Sequence, residues 1–145
     1  MNSSVSTISE LLDYWIEKRG ARIAPTRAEM EPLDFPKLWA DIIIYKVHHD
    51  PLDYEVTRFG TELATVWGKD YTGCFFDEIF FGSTKDLVRT SFDEAVRSGI
   101  ATIEVLDARW VDKKYVKYKR LMLPLSEDGK TIDRLFLCVQ LTAKD

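Results

Sequence analysis

Cys74 lies in the segment GKDYTGCFFDEIF, just after a cluster of turn-forming residues, where its thiol could do chemistry. A reactive cysteine needs a stabilised thiolate, which nearby positive charge or a helix N-terminus provides. The residues on either side of Cys74 are a glycine and two phenylalanines, and Cys138 forms no CxxC spacing with it. We therefore expect two free thiols that pack as small apolar side chains in a reducing compartment.

His48 and His49 are the only histidines and would be the first candidates for a metal or haem site. They follow a β-branched, strand-like run, and consecutive residues of a strand point to opposite faces. Two such imidazoles cannot coordinate one metal ion unless a β-bulge interrupts the strand. We expect solvated histidines beside a turn and no metal site.

Enzyme motifs are missing from the sequence: it has no glycine-rich phosphate loop, no GxSxG and no HExxH. Asp77 and Glu78 are adjacent carboxylates, but they open a short helical turn, where negative charge stabilises the helix N-terminus. No catalytic residue is predicted, and the protein is not expected to be an enzyme.

The stretch DKKYVKYKR, residues 112–120, interleaves basic and aromatic side chains: Lys113, Lys114, Tyr115, Lys117, Tyr118, Lys119 and Arg120. Such a composition suits an anion or nucleic-acid binder. Glu104 and Asp107 on the neighbouring predicted strand can neutralise it through cross-strand pairs, and the net charge of −4 argues against a general affinity for phosphate. Nucleic-acid binding is therefore the weakest of three functional alternatives.

The elements that position these residues begin with an amphipathic helix. Thr7 and Glu10 have the capping-box spacing, and Gly20 offers a stop. One stripe of this helix is apolar and consists of Ile8, Leu11, Leu12, Trp15 and Ile16. This stripe must pack on something, either the rest of the chain or a second copy, and both remain open.

The order of the other elements predicts an α+β fold. Pro25, Pro32 and Pro36 make residues 21–41 a packed connector. Strands are expected over 42–48 and 54–60, a short helix over 61–67, and a longer helix capped by Thr84 that runs to about Ser98. Three strands follow, over 101–111, 115–125 and 132–141, with turns at residues 112–114 and 127–129.

The 145 residues, 46% of them hydrophobic, suit one domain with one core. We divide it into an N-terminal helix (1–20), the connector (21–41) and a core (42–141). No signal peptide and no long apolar run is present, so a cytosolic location is expected.

This order resembles that of a PAS domain, and more narrowly the single-domain PAS-like proteins common in alphaproteobacteria. The likeness rests on the stretches LLDYWIEKRG, PLDFPKLWADI, YEVTRFGTELATVWGKDYTGCFFDEI and YKRLMLPLSEDGKTIDRL. The resemblance implies a five-stranded antiparallel sheet with helices on one face, around a core that holds a small ligand in many relatives. It also implies signalling through protein contacts rather than catalysis.

The resemblance gives little support to a photoactive flavin or to haem. Flavin photoreceptors of this superfamily carry a GxNCRFLQ motif, and the residues around Cys74 lack its Asn, Arg and Gln. PAS haem sensors usually place a histidine on the longer helix, and residues 84–98 contain none. No cofactor is therefore strongly indicated.

Alternation along the last two strands predicts which side chains face the helices. Leu135, Leu137 and Val139 should share one face, and we expect Leu121, Leu123 and Leu125 to join them. Phe136, Cys138 and Met122 would then form a second face, covered by the N-terminal helix of the same chain or of a partner. The residues that would line or fill the core pocket are Phe75, Phe76, Phe92, Val96, Leu123 and Leu137.

The leading expectation is a stand-alone cytosolic PAS-type sensory or regulatory module in signal transduction. It would act through a homodimer or an unidentified signalling partner, with a small apolar ligand in its core. No output segment is expected in the chain. The alternative is a small-molecule binding or carrier protein on the same fold.

Overall fold

The computed structural model describes residues 5–80, 85–108 and 113–144. Its helices and strands in chain order are α1 (Ile8–Arg19), β1 (Ile42–His48), β2 (Asp53–Phe59), α2 (Thr61–Trp67), α3 (Phe76–Ile79), α4 (Lys85–Ser98), β3 (Thr102–Ala108), β4 (Lys113–Leu125) and β5 (Arg134–Lys144). The expected Thr84 cap lies outside the described residues, as does Asp112. Lys113 and Lys114, expected in a turn, belong to β4.

The five strands form one antiparallel sheet in the order β2-β1-β5-β4-β3. Two hairpins, β1-β2 and β3-β4, are joined through β5, which lies at the centre. The edge of β2 is covered by the segment around Cys74, since Val56 N donates to Cys74 O and Gly73 N to Val56 O. This is the α+β sheet that the sequence predicts.

The register assigns each side chain to a face of the sheet and corrects one expectation. Leu137 pairs with Met122, and Leu123 pairs with Phe136. Residues directly opposite in an antiparallel pair share a face. Met122 is therefore on the helix-covered face with Leu137, whereas the β4 leucines are on the second face with Phe136 and Cys138. Our alignment of the two leucine rows was wrong by one residue, which inverts every side chain of a strand.

Helix α1 covers the second face. Thr7 and Glu10 form the expected capping box, in which Glu10 N donates to Thr7 Oγ1 and Thr7 N to Glu10 Oε1. Trp15 is buried, and its Nε1 donates to Pro124 O at 2.8 Å. Pro124 lies beyond the last β3-β4 pair, Thr102 with Met122, so no β3 residue pairs with it there. Trp15 therefore satisfies a buried carbonyl while it fills the core.

The connector between α1 and β1 is packed, as its prolines predict. It contains short 3₁₀ turns at Pro32–Asp34 and Trp39–Asp41. Phe35 is fully buried and contacts Phe136 across the second face, with ring centroids 5.8 Å apart. Gly60 is needed where the connector approaches β2, because a Cβ there would lie 2.2 Å from Ala40 O. No described helix is long and apolar enough to cross a bilayer.

Candidate functional site

A small cavity lies between the sheet and the three helices of the helix-covered face. Its volume is about 20 Å³, close to the space that one water molecule occupies. The lining side chains come from β1, β2, β4, β5, α2, α3 and the residue after it, and α4: Ile43, Tyr45, Phe59, Leu63, Trp67, Ile79, Phe80, Phe92, Tyr118, Arg120, Leu137 and Val139. The core is therefore nearly filled, with space for a much larger ligand only after side chains move.

Phe92 is the centre of the aromatic packing that fills this core. Its ring contacts Tyr45, Tyr54 and Phe76 at centroid distances of 5.0, 5.1 and 5.5 Å, all edge-on. Edge-on pairs stabilise a core beyond the area they bury. Helix α4 presents this ring because Val88, Phe92 and Ala95 repeat at helical spacing on its buried side.

Arg120 is the charged residue of the cavity wall and is only 4% exposed. Its Nη2 donates to Ser91 Oγ at 3.0 Å on α4 and to the Glu104 carboxylate on β3. Its Nε is buried without a hydrogen-bond partner among the described residues. The Arg120 guanidinium thus connects the cavity wall to both α4 and β3, while its Nε–H has no acceptor among the described residues.

Two tyrosines give the core further polar atoms. Tyr45 lines the cavity and is fully buried; burial raises its pKa, and the positive charge of Arg120 opposes that rise. The Tyr54 hydroxyl donates to Asp93 Oδ1 at 2.6 Å, and burial together with this bond raises the Tyr54 pKa. Both phenols are neutral hydrogen-bonding groups at neutral pH.

The six residues that we expected around the pocket lie in different places. Phe92 and Leu137 line the cavity. Phe76 is buried against Phe92, and Val96 packs at the margin of the core. Phe75 lies against His48, with ring centroids 5.3 Å apart. Leu123 is fully buried on the second face, so the sheet separates it from the cavity.

Sequence reasoning missed Arg120 and Tyr45. We placed Arg120 in the solvated basic hairpin because of its composition. Alternation offers a signal, since Arg120 shares its face with Tyr118 and Met122, whereas Lys117 and Lys119 are exposed. Arg120 is therefore not part of an exposed basic surface. The side chains of residues 113–116 lie outside the described part of the chain.

The five α1 residues proposed for interaction are mostly used within the chain. Ile8, Leu11 and Trp15 are buried in the core, and Leu12 packs partly against it. Ile16 is 45% exposed and is the member of the set that is most open to a partner. The interaction surface of α1 itself is therefore narrow.

The remaining candidates have structural contacts. Cys74 is half-buried against the core, and Cys138 is buried on the second face, where burial raises the pKa of its thiol to about 12. His48 Nε2 pairs with Glu55 at 2.9 Å, and the exposed His49 contacts Ile132 O at 3.2 Å. Within residues 5–80, 85–108 and 113–144, no cluster of three His, Cys, Asp or Glu side chains could hold a metal.

Comparison with known proteins supplies the family. The family model of the PAS domain matches residues 3–140, which is nearly the whole chain. The curated proteins contain no match. The five-stranded antiparallel sheet and its helices are consistent with this match. The chain therefore belongs to the PAS domain family.

Proposed function

We propose that this protein is a PAS-type sensory or regulatory module of signal transduction, and that residues 1–145 form one domain. The PAS match over residues 3–140 carries the proposal, because the coarse role of this family is sensory or regulatory. The module acts through protein contacts rather than through catalysis. Fold alone does not identify the signal, which has to be argued from the core and the surface.

The core favours a small apolar ligand that enters by displacing side chains. The cavity walls are mainly aromatic and aliphatic, with Arg120 and Tyr45 as polar groups. A space of about 20 Å³ is too small for the steady storage of a metabolite. This disfavours a carrier protein and favours a sensor in which binding and rearrangement are coupled.

Exposed apolar side chains support action through protein contacts. Leu87, Ile100 and Ile103 are 72%, 62% and 44% exposed. They border an open groove of about 500 Å³ between α4 and β3. Contiguous exposed apolar surface is typical of interaction sites. A homodimer through Leu12 and Ile16 of α1 is part of the proposal, as is an unidentified signalling partner.

The two free thiols support a cytosolic location, because both cysteines are unpaired in the structure and a reducing compartment keeps them so. Fractionation of cells that express the tagged protein would test this point. Recovery in a secreted or periplasmic fraction would contradict it.

Native mass spectrometry on freshly purified, untagged protein tests the sensory function. We expect a dimer, and a discrete added mass under gentle conditions that disappears on collisional activation. The Phe92→Trp variant, which fills the cavity wall with a larger ring, should lose the added mass. Val105→Ala, at an exposed position of β3 that lines neither the cavity nor the groove, is the matched control. An added mass that survives Phe92→Trp would place the ligand outside the core.

A further inference from the structure

We propose that Trp39, Arg27 and Arg58 form a docking site for an acidic, carboxylate-bearing segment of a partner protein. The inference deepens the proposed function and rests on it, since it gives the chemistry of the signalling partner. All three side chains are half-buried: Arg58 lies on β2, on the second face of the sheet, and Arg27 and Trp39 of the connector pack beside it. They are separate from the basic stretch of residues 112–120.

Arg58 is held flat against Trp39. Its Cζ lies 3.8 Å from the Trp39 ring centroid, and its Nη2 donates to Trp39 O at 2.7 Å. The Nε of Arg58 is buried without a hydrogen-bond partner in the described part of the chain. The Nη groups of a stacked guanidinium still carry N–H donors in the guanidinium plane, where they fit the two oxygens of a carboxylate. The stacking therefore positions Arg58 before any partner arrives.

Arg27 approaches the same indole, with its Cζ 5.7 Å from the ring centroid. Its guanidinium makes one long contact, from Nη1 to Met30 O at 3.5 Å. Among the described residues, no carboxylate lies within ion-pair distance of either Arg27 or Arg58. Two guanidinium groups thus share one aromatic platform without a counter-ion.

The surrounding charges do not neutralise this pair. Glu127 accepts from Arg27 N, and Asp133 accepts from Glu127 N and pairs with Arg134, but in the described part of the chain neither carboxylate forms an ion pair with Arg27 or Arg58. Lys46 pairs directly across from Arg134 on the same face. The pKa of Arg27 is lowered by burial and then by Arg134, and that of Arg58 by burial and then by Arg27. Like charge therefore acts on these guanidinium groups more strongly than the opposing carboxylates of Glu31 and Asp70 do.

An acidic protein segment is the occupant that this surface fits. The net charge of the chain is −4, so a local pair of guanidinium groups without a paired carboxylate stands out as a positive surface for an anionic partner. Tryptophan and arginine are also the residue types that concentrate binding energy at protein interfaces. Lys46 and Arg134 extend the positive surface along β1 and β5, which suits an extended segment with more than one carboxylate.

The test measures the affinity of a rhodamine-labelled hexaglutamate peptide for the full chain by fluorescence anisotropy at low salt. Arg27→Gln and Arg58→Gln should each weaken binding about fivefold to tenfold, as expected for loss of a charge-assisted contact. Arg97→Gln removes the same charge from an exposed ion pair on α4 and is the matched control. Arg58→Lys keeps the charge but loses the planar fork, and should weaken binding nearly as much as Arg58→Gln.

Arg27→Gln keeps the test valid if Arg58→Gln unfolds the connector. Within the described residues the Arg27 guanidinium makes only one long hydrogen bond, to Met30 O, whereas Arg58 Nη2 bonds Trp39 O at 2.7 Å. Failure of hexaglutamate to bind, or equal effects of Arg27→Gln and Arg97→Gln, would overturn the docking site. The proposal would also be overturned, in favour of a nucleic-acid site, if hexathymidylate bound more tightly than hexaglutamate and the same arginine substitutions weakened its binding. The sensory function is tested separately. It would be contradicted if native mass spectrometry showed neither a ligand nor a dimer, and the peptide measurement requires neither of them.

Discussion

Arg120 and Glu104 form an ion pair whose two ends lie in different environments. The Arg120 side chain is 4% exposed and that of Glu104 43%. Removing Glu104 leaves the buried Arg120 charge unpaired at low dielectric, whereas removing Arg120 leaves Glu104, whose carboxylate water can solvate. The two substitutions should therefore have unequal effects on the free energy of unfolding.

Glu104→Ala should lower the free energy of unfolding by about 2 to 3 kcal/mol, less than for a fully buried pair because water screens Glu104. Arg120→Met, which keeps the apolar stem, should cost under about 1 kcal/mol. Urea unfolding measures both. Glu94→Ala, at the exposed pair with Arg97, is the control and should change stability by less than about 0.5 kcal/mol. A larger loss for Arg120→Met than for Glu104→Ala would refute the argument.

The two cysteines should differ in reactivity because they differ in burial. Cys138 is fully buried and its thiol pKa is raised to about 12, mainly by burial and further by the charge of Asp41. At pH 8 we expect Ellman's reagent to modify Cys74 in the folded protein and both thiols in guanidinium chloride. Cys74→Ser should abolish the reaction of the folded protein. Comparable rates at both cysteines under native conditions would show that the sheet opens around Cys138.

At the scale of elements, α1 depends on one buried hydrogen bond as well as on its apolar stripe. Trp15→Phe removes the donor to Pro124 O, which β3 does not reach, and should lower the free energy of unfolding by about 1 to 3 kcal/mol. Tyr14→Phe on the same helix removes a hydroxyl that bonds Asp34 Oδ2, Glu29 O and Glu31 N near the surface of the connector. It should cost less than about 1 kcal/mol, because water can replace the hydroxyl there.

Chemical denaturation of the two α1 variants checks this difference. If Trp15→Phe were as stable as the wild type, the Pro124 carbonyl would have another donor and Trp15 would act only through its volume. If Tyr14→Phe were the more damaging change, the connector rather than the sheet would fix α1.

At the scale of the whole molecule, the proposed homodimer has a testable surface. Ile16 of α1 is 45% exposed, and Val105 of the edge strand β3 is 65% exposed. If the dimer forms through α1, Ile16→Lys should raise the dimer dissociation constant about tenfold or more, since a charge enters an apolar contact. Val105→Lys is the matched control and should have little effect. Sedimentation equilibrium over a range of concentrations gives both constants, and the reverse outcome would place the interface at β3.

Local signals made much of the fold predictable. The Thr7–Glu10 capping box depends on residues three apart, and α2 ends at Gly68, whose φ of 86° is readily adopted without a Cβ. The bounds of β1 follow from a β-branched run and need no distant partner. The family resemblance, carried by such landmarks, added that the five strands form one antiparallel sheet.

The sequence by itself determined the order of the main elements, that the fold is α+β and that α1 has an apolar stripe. Tertiary structure decided which side chains meet. One residue of register puts Leu123 on the second face and Arg120 at the cavity, and register is fixed by long-range pairing that no local pattern encodes. The meeting of Arg27, Trp39 and Arg58 likewise required the connector to pack beside β2, because their separation along the chain is bridged only by folding.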